Sequence, residues 1–303
     1  MRVALTGATG FIGRYIARHL SDQEHALRCW HRATSDREGF GEVADLEWIE
    51  GELGDEDSTK TLVQGCDTVV HGALYRPGSG FQGAEADIIE FVEKNILGTL
   101  KLIRTAREAN VGRFILISTC AVHEKILDDK PLDETHPLWP TSHYGAHKAA
   151  LEKFVHSYGL GEDYPICAVR PTGVYGVNHP AENSKWYDLV DKVVRGEDVE
   201  CSRGGKEVHA ADVAKAIGVL LEADGINGEA FNCYDRYVSE YEVATLAKEL
   251  SKSSSQISGG PKQPKHQIVT DKIRSMGMEF GGEELLRDTV SQLVTAVQQQ
   301  EST

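Results

Sequence analysis

The sequence predicts an α/β fold: a doubly wound parallel sheet joined to a smaller, mixed C-terminal region. Strand and helix patterns alternate through the first half, as βαβ units do. The chain opens on an apolar strand that stops at glycines and turns at once into a helix. Beyond Arg170-Pro171 the alternation loosens into shorter, mixed elements.

Val3, Ala4 and Leu5 are a short apolar run of the kind buried in a parallel sheet. Gly7, Gly10 and Gly13 follow, and a helical pattern starts at Phe11 through Ile12, Tyr15, Ile16 and Leu20. Unpaired N–H groups at such a helix start, together with the positive dipole end, form an anion site that glycines leave open to a pyrophosphate. The spacing is Gly-x-x-Gly-x-x-Gly, and its place between a first strand and a first helix makes it a dinucleotide loop of Rossmann type.

Further strands are expected near 25–30, 46–50, 67–72, 113–117 and 166–170, with helices over about 84–109 and 143–158. After a polar loop at 176–184, helices are expected near 186–195, 211–222 and 239–250, and a short strand at 230–232. Arg203, Gly204, Gly205 and Lys206 read as a turn, and 251–264, rich in Ser, Gly and Pro, as an exposed linker. A last amphipathic helix covers 283–300. The expected division is a dinucleotide-binding domain at 1–175 and a substrate-binding region at 176–303, with 205–232 returning to the sheet.

With 303 residues the chain can bury a sizeable core. Its net charge of −15 and the lack of a Lys/Arg run argue against nucleic acid as a partner. Six cysteines without paired spacing suit reduced thiols in a cytoplasmic protein. The first strand begins at once, so no signal peptide is expected, and no apolar run approaches the ~20 residues that span a bilayer.

Tyr144 and Lys148 lie four apart at the start of a predicted helix, on one face. A phenol is a poor acid or base at neutral pH, and an ammonium beside it favours the phenolate. Such a pair can move a proton at a substrate oxygen while hydride passes to or from a nicotinamide. Alone the spacing is common by chance; behind a dinucleotide loop it reads as chemistry. Ser118 and Thr119 stand where the preceding apolar strand stops, placed either for local turn bonds or to steady a substrate oxygen.

These motifs resemble, in order, those of the extended short-chain dehydrogenase/reductases of the NAD(P)-dependent epimerase/dehydratase family, over about residues 1 to 290. The matching segments are TGATGFIG, Glu50–Leu53, Val69–Ala73, Asn95–Thr99, Tyr144…Lys148, Arg170–Gly176, Val208-His209…Asp212–Ala214 and Gly228–Asn232. The resemblance implies an enzyme acting on a sugar, most often a sugar nucleotide, with Thr119, Tyr144 and Lys148 as catalytic residues. It implies cofactor contacts from Gly7, Thr9, Gly10, Phe11, Ile12 and Gly13, and from His31, Arg32, Glu52 and Leu53. Gly72, Ala73, Leu74, Asn95, Ser118, Pro171, Thr172 and Val174 complete that set with Tyr144 and Lys148. Tyr75, Arg76, Tyr175, Arg203, Lys206 and His209 are the candidate substrate contacts. A homodimer through the helices at 84–109 and 143–158 is also implied.

Besides Glu52, which stands where the family normally has Asp, the chain departs from the family pattern at three places. The second strand ends Trp30-His31-Arg32, where NAD users carry an acid; Arg32, aided by Thr34 or Ser35, suits a 2′-phosphate and points to NADP, with NAD as the alternative. Gly204-Gly205-Lys206-Glu207 stands where nucleotide-diphosphate binders place an Arg-Asp pair, with Arg203 or Lys206 as substitutes. Val122-His123-Glu124 replaces the usual Val-Tyr-Gly. These departures leave open a second reading, an NADPH-dependent reductase of a small carbonyl compound; a dinucleotide sensor would be expected to lose the Tyr–Lys pair.

Two further motifs are set aside. The G-x-G-x-x-G at 78–83 follows Pro77 and reads as a substrate-side loop. His143 and His147 have metal-ligand spacing without a third ligand, so no metal is expected.

Overall fold

A computed structural model of the 303-residue chain describes residues 1–76 and 87–300. The glycine-rich motif at 78–83 and the expected start of the second long helix lie outside the described residues.

In chain order the elements begin β1 (Arg2–Thr6), α1 (Phe11–Asp22), β2 (Ala26–His31), β3 (Leu46–Glu50), α2 (Glu56–Val63) and β4 (Thr68–His71). There follow α3 (Ile88–Val92), a π-helical turn (Glu93–Leu97), α4 (Gly98–Glu108), β5 (Arg113–Ile117) and a 3₁₀ turn (Cys120–His123). Next are α5 (His143–Glu162), β6 (Ile166–Pro171), β7 (Gly173–Tyr175), α6 (Tyr187–Val194), β8 (Val199–Cys201), β9 (Gly204–His209) and α7 (Ala210–Glu222). The chain closes with β10 (Glu229–Cys233), β11 (Arg236–Ser239), α8 (Glu240–Ser251), β12 (Ile257–Gly259), α9 (Asp271–Ser275) and α10 (Gly282–Gln300).

Two compact units emerge. The first comprises Met1–Pro171, Val213–Cys233 and Ile268–Met278. It holds a seven-stranded sheet in the order β3-β2-β1-β4-β5-β6-β10, with every pair parallel. Val3, Ala4, Leu5, Phe114, Ile115 and Leu116 are completely buried, as continuous apolar runs require in a sheet covered on both faces. Chain order reverses between β1 and β4, and open α/β sheets bind ligands at the carboxyl ends beside that switch point.

The second unit comprises Thr172–Asp212, Tyr234–Gln267 and Glu279–Thr303. It holds a three-stranded sheet, β11-β9-β7, in which β9 runs antiparallel to β11 and parallel to β7. Its core gathers Val190 and Val193 of α6, Val243 and Ala247 of α8, and Leu286, Val290 and Leu293 of α10.

One sequence expectation needs correction here and another needs refining. Gly204 to Lys206 are not a turn: they form the start of β9, where Lys206 pairs with Tyr237 and Gly205 with Val238. Their glycines read as turn residues, yet in the strand Gly204 makes room for a neighbour: a Cβ there would come within 2.5 Å of the Tyr237 hydroxyl. The stretch 251–264 is largely exposed, as an exposed linker should be, but it is not without regular structure. Ile257 to Gly259 pair with Val199 to Cys201, and the completely buried Ser255 donates its hydroxyl to the Glu197 carbonyl at 2.5 Å. A composition rich in Ser and Gly permitted that strand without announcing it.

Helix α5 runs close to Gly228 at Gly159, where a Cβ would come within 1.9 Å of the Gly228 nitrogen. Gly159→Ala is therefore expected to cost about 1–3 kcal/mol in urea denaturation. Gly161→Ala in the same helix meets nothing within 4 Å, and should instead be neutral or stabilising by up to about 1 kcal/mol.

Candidate active site

The glycine loop is built as the sequence demands. Gly7 has φ +77°, and a Cβ there would stand 2.7 Å from the Gly72 carbonyl carbon. At Gly13 a Cβ would strike the Gly7 oxygen at 2.0 Å. The Gly10 nitrogen donates to the Gly7 carbonyl at 3.0 Å, and Gly10 is the N-cap of α1 without a capping side chain. The first-turn N–H groups of Phe11, Ile12 and Gly13 thus keep the donor character that an anion needs. Arg14 secures the loop from outside, donating to the carbonyls of Thr9, Asp36 and Glu38 while stacking over Phe40. The sequence offered no signal for Arg14 beyond its place one residue past the last glycine.

At the end of β2, the His31 ring meets Trp48 edge-on, and exposed Arg32 donates its backbone N–H to the Ser35 hydroxyl. Glu52 pairs with Lys94 at 3.0 Å, and Leu53 is buried.

Between β1 and β4 runs a buried chain of polar groups. Thr6 Oγ1 lies 2.7 Å from His71 Nδ1 and accepts the N–H groups of Gly72 and Ala73. His71 Nε2 lies 2.8 Å from Thr99 Oγ1, whose own proton goes to the Asn95 carbonyl. Thr99 has no second proton to give, so this pattern requires the Nε2–H tautomer of His71. Asn95 sits in the π-helical turn; its Oδ1 accepts from the Tyr75 N–H, and its Nδ2 donates to the carbonyls of Tyr75 and Phe91. The segment from Gly72 through Leu74 to Tyr75 is therefore held at both ends. Helix-favouring residues on either side concealed the π turn from sequence reading. Thr99, one turn from Asn95, was the available clue.

Thr119 caps the 3₁₀ turn, accepting from the Ala121 N–H at 3.1 Å. Its hydroxyl is also near enough to the Tyr144 phenol to favour the phenolate. Burial pushes that phenol above its ordinary value, against the Thr119 hydroxyl and the charge of Arg76, which favour the phenolate. The sequence reading expected the Lys148 ammonium to lower it; the cation that acts on the phenol here is Arg76, and desolvation outweighs it. Lys148 is 4% exposed and donates to the Ile117 carbonyl at 2.7 Å. Its pKa falls to about 8 because burial disfavours the charge, while Glu152 supports it.

Beneath these groups lies a buried ion pair that sequence reading missed. The Arg170 guanidinium forks onto Glu152 at 2.6 to 3.1 Å, and Ser118 donates to Glu152 at 2.5 Å. Arg170 also stands 3.2 Å from His123 Nε2. The i+4 relation of Glu152 to Lys148 was the only advance signal. Pro171 ends β6 opposite Cys233.

The remaining candidates lie in the second unit. Thr172 has a buried hydroxyl with no hydrogen-bond partner among the described residues, and Val174 pairs with Val208. Tyr175 and His209 share a face of β7 and β9, with ring centroids 5.0 Å apart. Lys206 lies on β9, and the Arg203 N–H meets Glu240. Glu207 is buried, with one carboxylate oxygen on Lys185 at 2.5 Å and the other against Gly173.

Burial pushes the His71 imidazole down to about 3, and Lys148 adds to the effect. The folded protein then keeps His71 neutral while the unfolded chain takes up its proton near pH 6.5. Stability from this group is complete above pH 6.5 and is lost as pH falls towards 3. Urea denaturation at about pH 5 should show a loss of about 2 kcal/mol from His71 alone, seen as a steeper acid slope than in His71→Gln.

The model of the NAD dependent epimerase/dehydratase family matches residues 3–233. A dTDP-D-glucose 4,6-dehydratase of Mus musculus is 30% identical over 267 residues, covering 82% of this chain and 72% of that protein. A 4-hydroxy-2-methyl-3-oxo-4-farnesyl-3,4-dihydroquinoline-1-oxide ketoreductase of Stigmatella aurantiaca is 29% identical over 241 residues, covering 76% of this chain and 67% of that protein. Among solved structures, the UDP-glucose 4-epimerase of Thermus thermophilus in complex with NAD superposes with a TM-score of 0.77 at 22% identity. That match covers 97% of this chain and 99% of the epimerase, and it supports the fold. The chain belongs to the NAD dependent epimerase/dehydratase family, enzymes of the extended short-chain dehydrogenase/reductase type.

Proposed function

We propose that the chain is a nicotinamide-dependent oxidoreductase, epimerase or dehydratase that acts on a sugar nucleotide, with Tyr144 as its proton-transferring group. The observation that carries this reading is the buried Lys148 ammonium, fixed on the Ile117 carbonyl at 2.7 Å, one helical turn along α5 from the Tyr144 phenol. The names of the relatives, a dTDP-glucose dehydratase and UDP-glucose epimerases among them, support the substrate class.

The residues present fit a dinucleotide. The uncapped start of α1 offers its first N–H groups to a pyrophosphate, and Gly7 and Gly13 let the loop fold tightly behind them. Arg32, exposed at the end of β2, would take the 2′-phosphate of NADP, the cofactor we assign ahead of NAD. When bound, the nicotinamide supplies the hydride acceptor and donor. Lys148 would hold its ribose, and Asn95 keeps the segment around Tyr75 in place.

Burial raises the pKa of the phenol, so it stays protonated at neutral pH. That state suits donation of a proton from Tyr144 Oη to a substrate oxygen, with Thr119 orienting the same oxygen. Lys148 keeps its charge below about pH 8. Tyr144→Phe should lower kcat by at least about a hundredfold and leave dinucleotide affinity within about twofold by fluorescence titration; a fully active variant would sink the assignment. Arg32→Glu should reverse the NADPH/NADH affinity ratio in the same titration.

A second reading, reduction of a small carbonyl compound by NADPH, is favoured by one observation. Where nucleotide-diphosphate binders carry an Arg-Asp pair, this chain places Gly205, Lys206 and a buried, Lys185-bound Glu207. Thermal-shift measurements with UDP-, GDP- and dTDP-sugars separate the two: no shift with any of them selects the carbonyl reductase.

Ile89 and Leu97, on the helical run from α3 to α4, and Phe154 and Leu160 of α5 are exposed apolar side chains. They support a homodimer through these helices. Light scattering should give twice the 33.3 kDa chain mass, falling to one chain mass when Leu97 and Leu160 are both changed to Glu.

A further inference from the structure

Glu124 occupies the place where the family pattern has glycine, and its carboxylate is more heavily used than a surface residue's would be. It accepts the backbone N–H and the hydroxyl of Thr141, the latter at 2.8 Å. It also accepts the backbone N–H and the hydroxyl of Ser142, both at 2.8 Å. Ser142 in turn caps α5 by accepting the Gly145 N–H at 3.1 Å. Tyr144 is the second residue of that helix. Glu124 itself directly follows the 3₁₀ turn that Thr119 begins. The neighbouring Lys125 N–H meets the Trp139 carbonyl at 3.0 Å, a second tie between the same two segments.

One carboxylate therefore spans the segment that carries the Thr119 hydroxyl and the segment that carries the Tyr144 phenol. A helix start needs one acceptor for its cap. Here both carboxylate oxygens are engaged by four donors from two successive residues. Burial pushes this carboxyl up, but these hydrogen bonds, led by the Thr141 N–H, hold it below the ordinary carboxylate value.

We propose that Glu124 is a positioning residue: by clamping Thr141 and Ser142 it sets the Thr119–Tyr144 alignment, through the placement of its acceptor oxygens and not through its charge. The proposal rests on the reading of Tyr144 as the proton-transferring group.

The test compares wild type with Glu124→Ala, Glu124→Gln, Ser239→Ala and Tyr144→Phe. Turnover is measured with NADP and NAD against dTDP-glucose, UDP-glucose and UDP-N-acetylglucosamine. The Tyr144 phenol is titrated separately, without substrate, from its ultraviolet phenolate band as the difference from Tyr144→Phe. Glu124→Ala should lower kcat by about tenfold or more, as small misplacements of reacting groups do, with KM for the dinucleotide within about twofold. Its phenol should titrate closer to the ordinary value of about 10, because water reaches a loosened site. Glu124→Gln can keep one oxygen on the Thr141 and Ser142 N–H groups, so kcat should stay within about threefold of wild type. Ser239→Ala removes the comparable cap of α8; it should lower the melting temperature and leave kcat unchanged, separating lost stability from lost alignment. Unchanged kcat and phenol titration in Glu124→Ala would overturn the proposal. So would Glu124→Gln falling as far as Glu124→Ala, which would make the charge responsible. If Tyr144→Phe retains turnover, the functional reading fails, and the phenol titration still decides whether Glu124 is a clamp.

Discussion

A cation buried away from water sets the terms for the first unit. The Lys148 ammonium has the Ile117 carbonyl as its direct acceptor and Glu152 as its counter-charge one turn along α5. Glu152 is also forked by Arg170, so a single carboxylate stands between two cations. Any further positive charge nearby is costly, because a low-dielectric interior amplifies repulsion. The surrounding histidines obey that limit. His71 and His147 are pushed down to about 3 by burial and by Lys148, and His123 to about 4 by burial and by Arg170. Their neutrality lets them serve as hydrogen-bonding struts. His71 joins Thr6 to Thr99, and His123 stands between Arg170 and the Pro137 carbonyl.

These struts tie the first strand, just before the glycine loop, to the segment from Gly72 to Tyr75 through side chains of the sheet's carboxyl edge. Thr6 holds the backbone of Gly72 and Ala73, and Asn95 holds that of Tyr75. The loop of Gly7 lies close against Gly72, since a Cβ on Gly7 would stand 2.7 Å from the Gly72 carbonyl carbon. The glycine loop and the Gly72–Tyr75 segment thus share one framework, and each part limits what the other can tolerate.

Much of this was legible in the sequence because burial imposes patterns. Val3 to Leu5 and Phe114 to Ile117 are continuous apolar runs because both sheet faces are covered. Gly7 and Gly13 announce themselves because only glycine fits there. Less was legible wherever partners come from distant positions. The strand at 257–259 is set by its pairing with 199–201, which local composition does not encode. Arg203 to Lys206 imitate a turn by composition, yet their register against β11 makes Gly204 to Lys206 a strand. The direction of the Tyr144 shift depends on desolvation, and a four-residue spacing carries no information about that.

The π-helical turn at Glu93–Leu97 also bears on how this helix should be compared with others. Such a turn holds about one residue more than an ordinary α-helical turn. Deleting a residue there would restore regular winding and rotate everything upstream by about 100° relative to α4. The Asn95 amide would then swing away from Tyr75 while the hydrophobic stripe still looked intact on paper. A relative lacking one residue in this stretch therefore aligns correctly only with a gap inside the helix, a place where alignments are seldom broken.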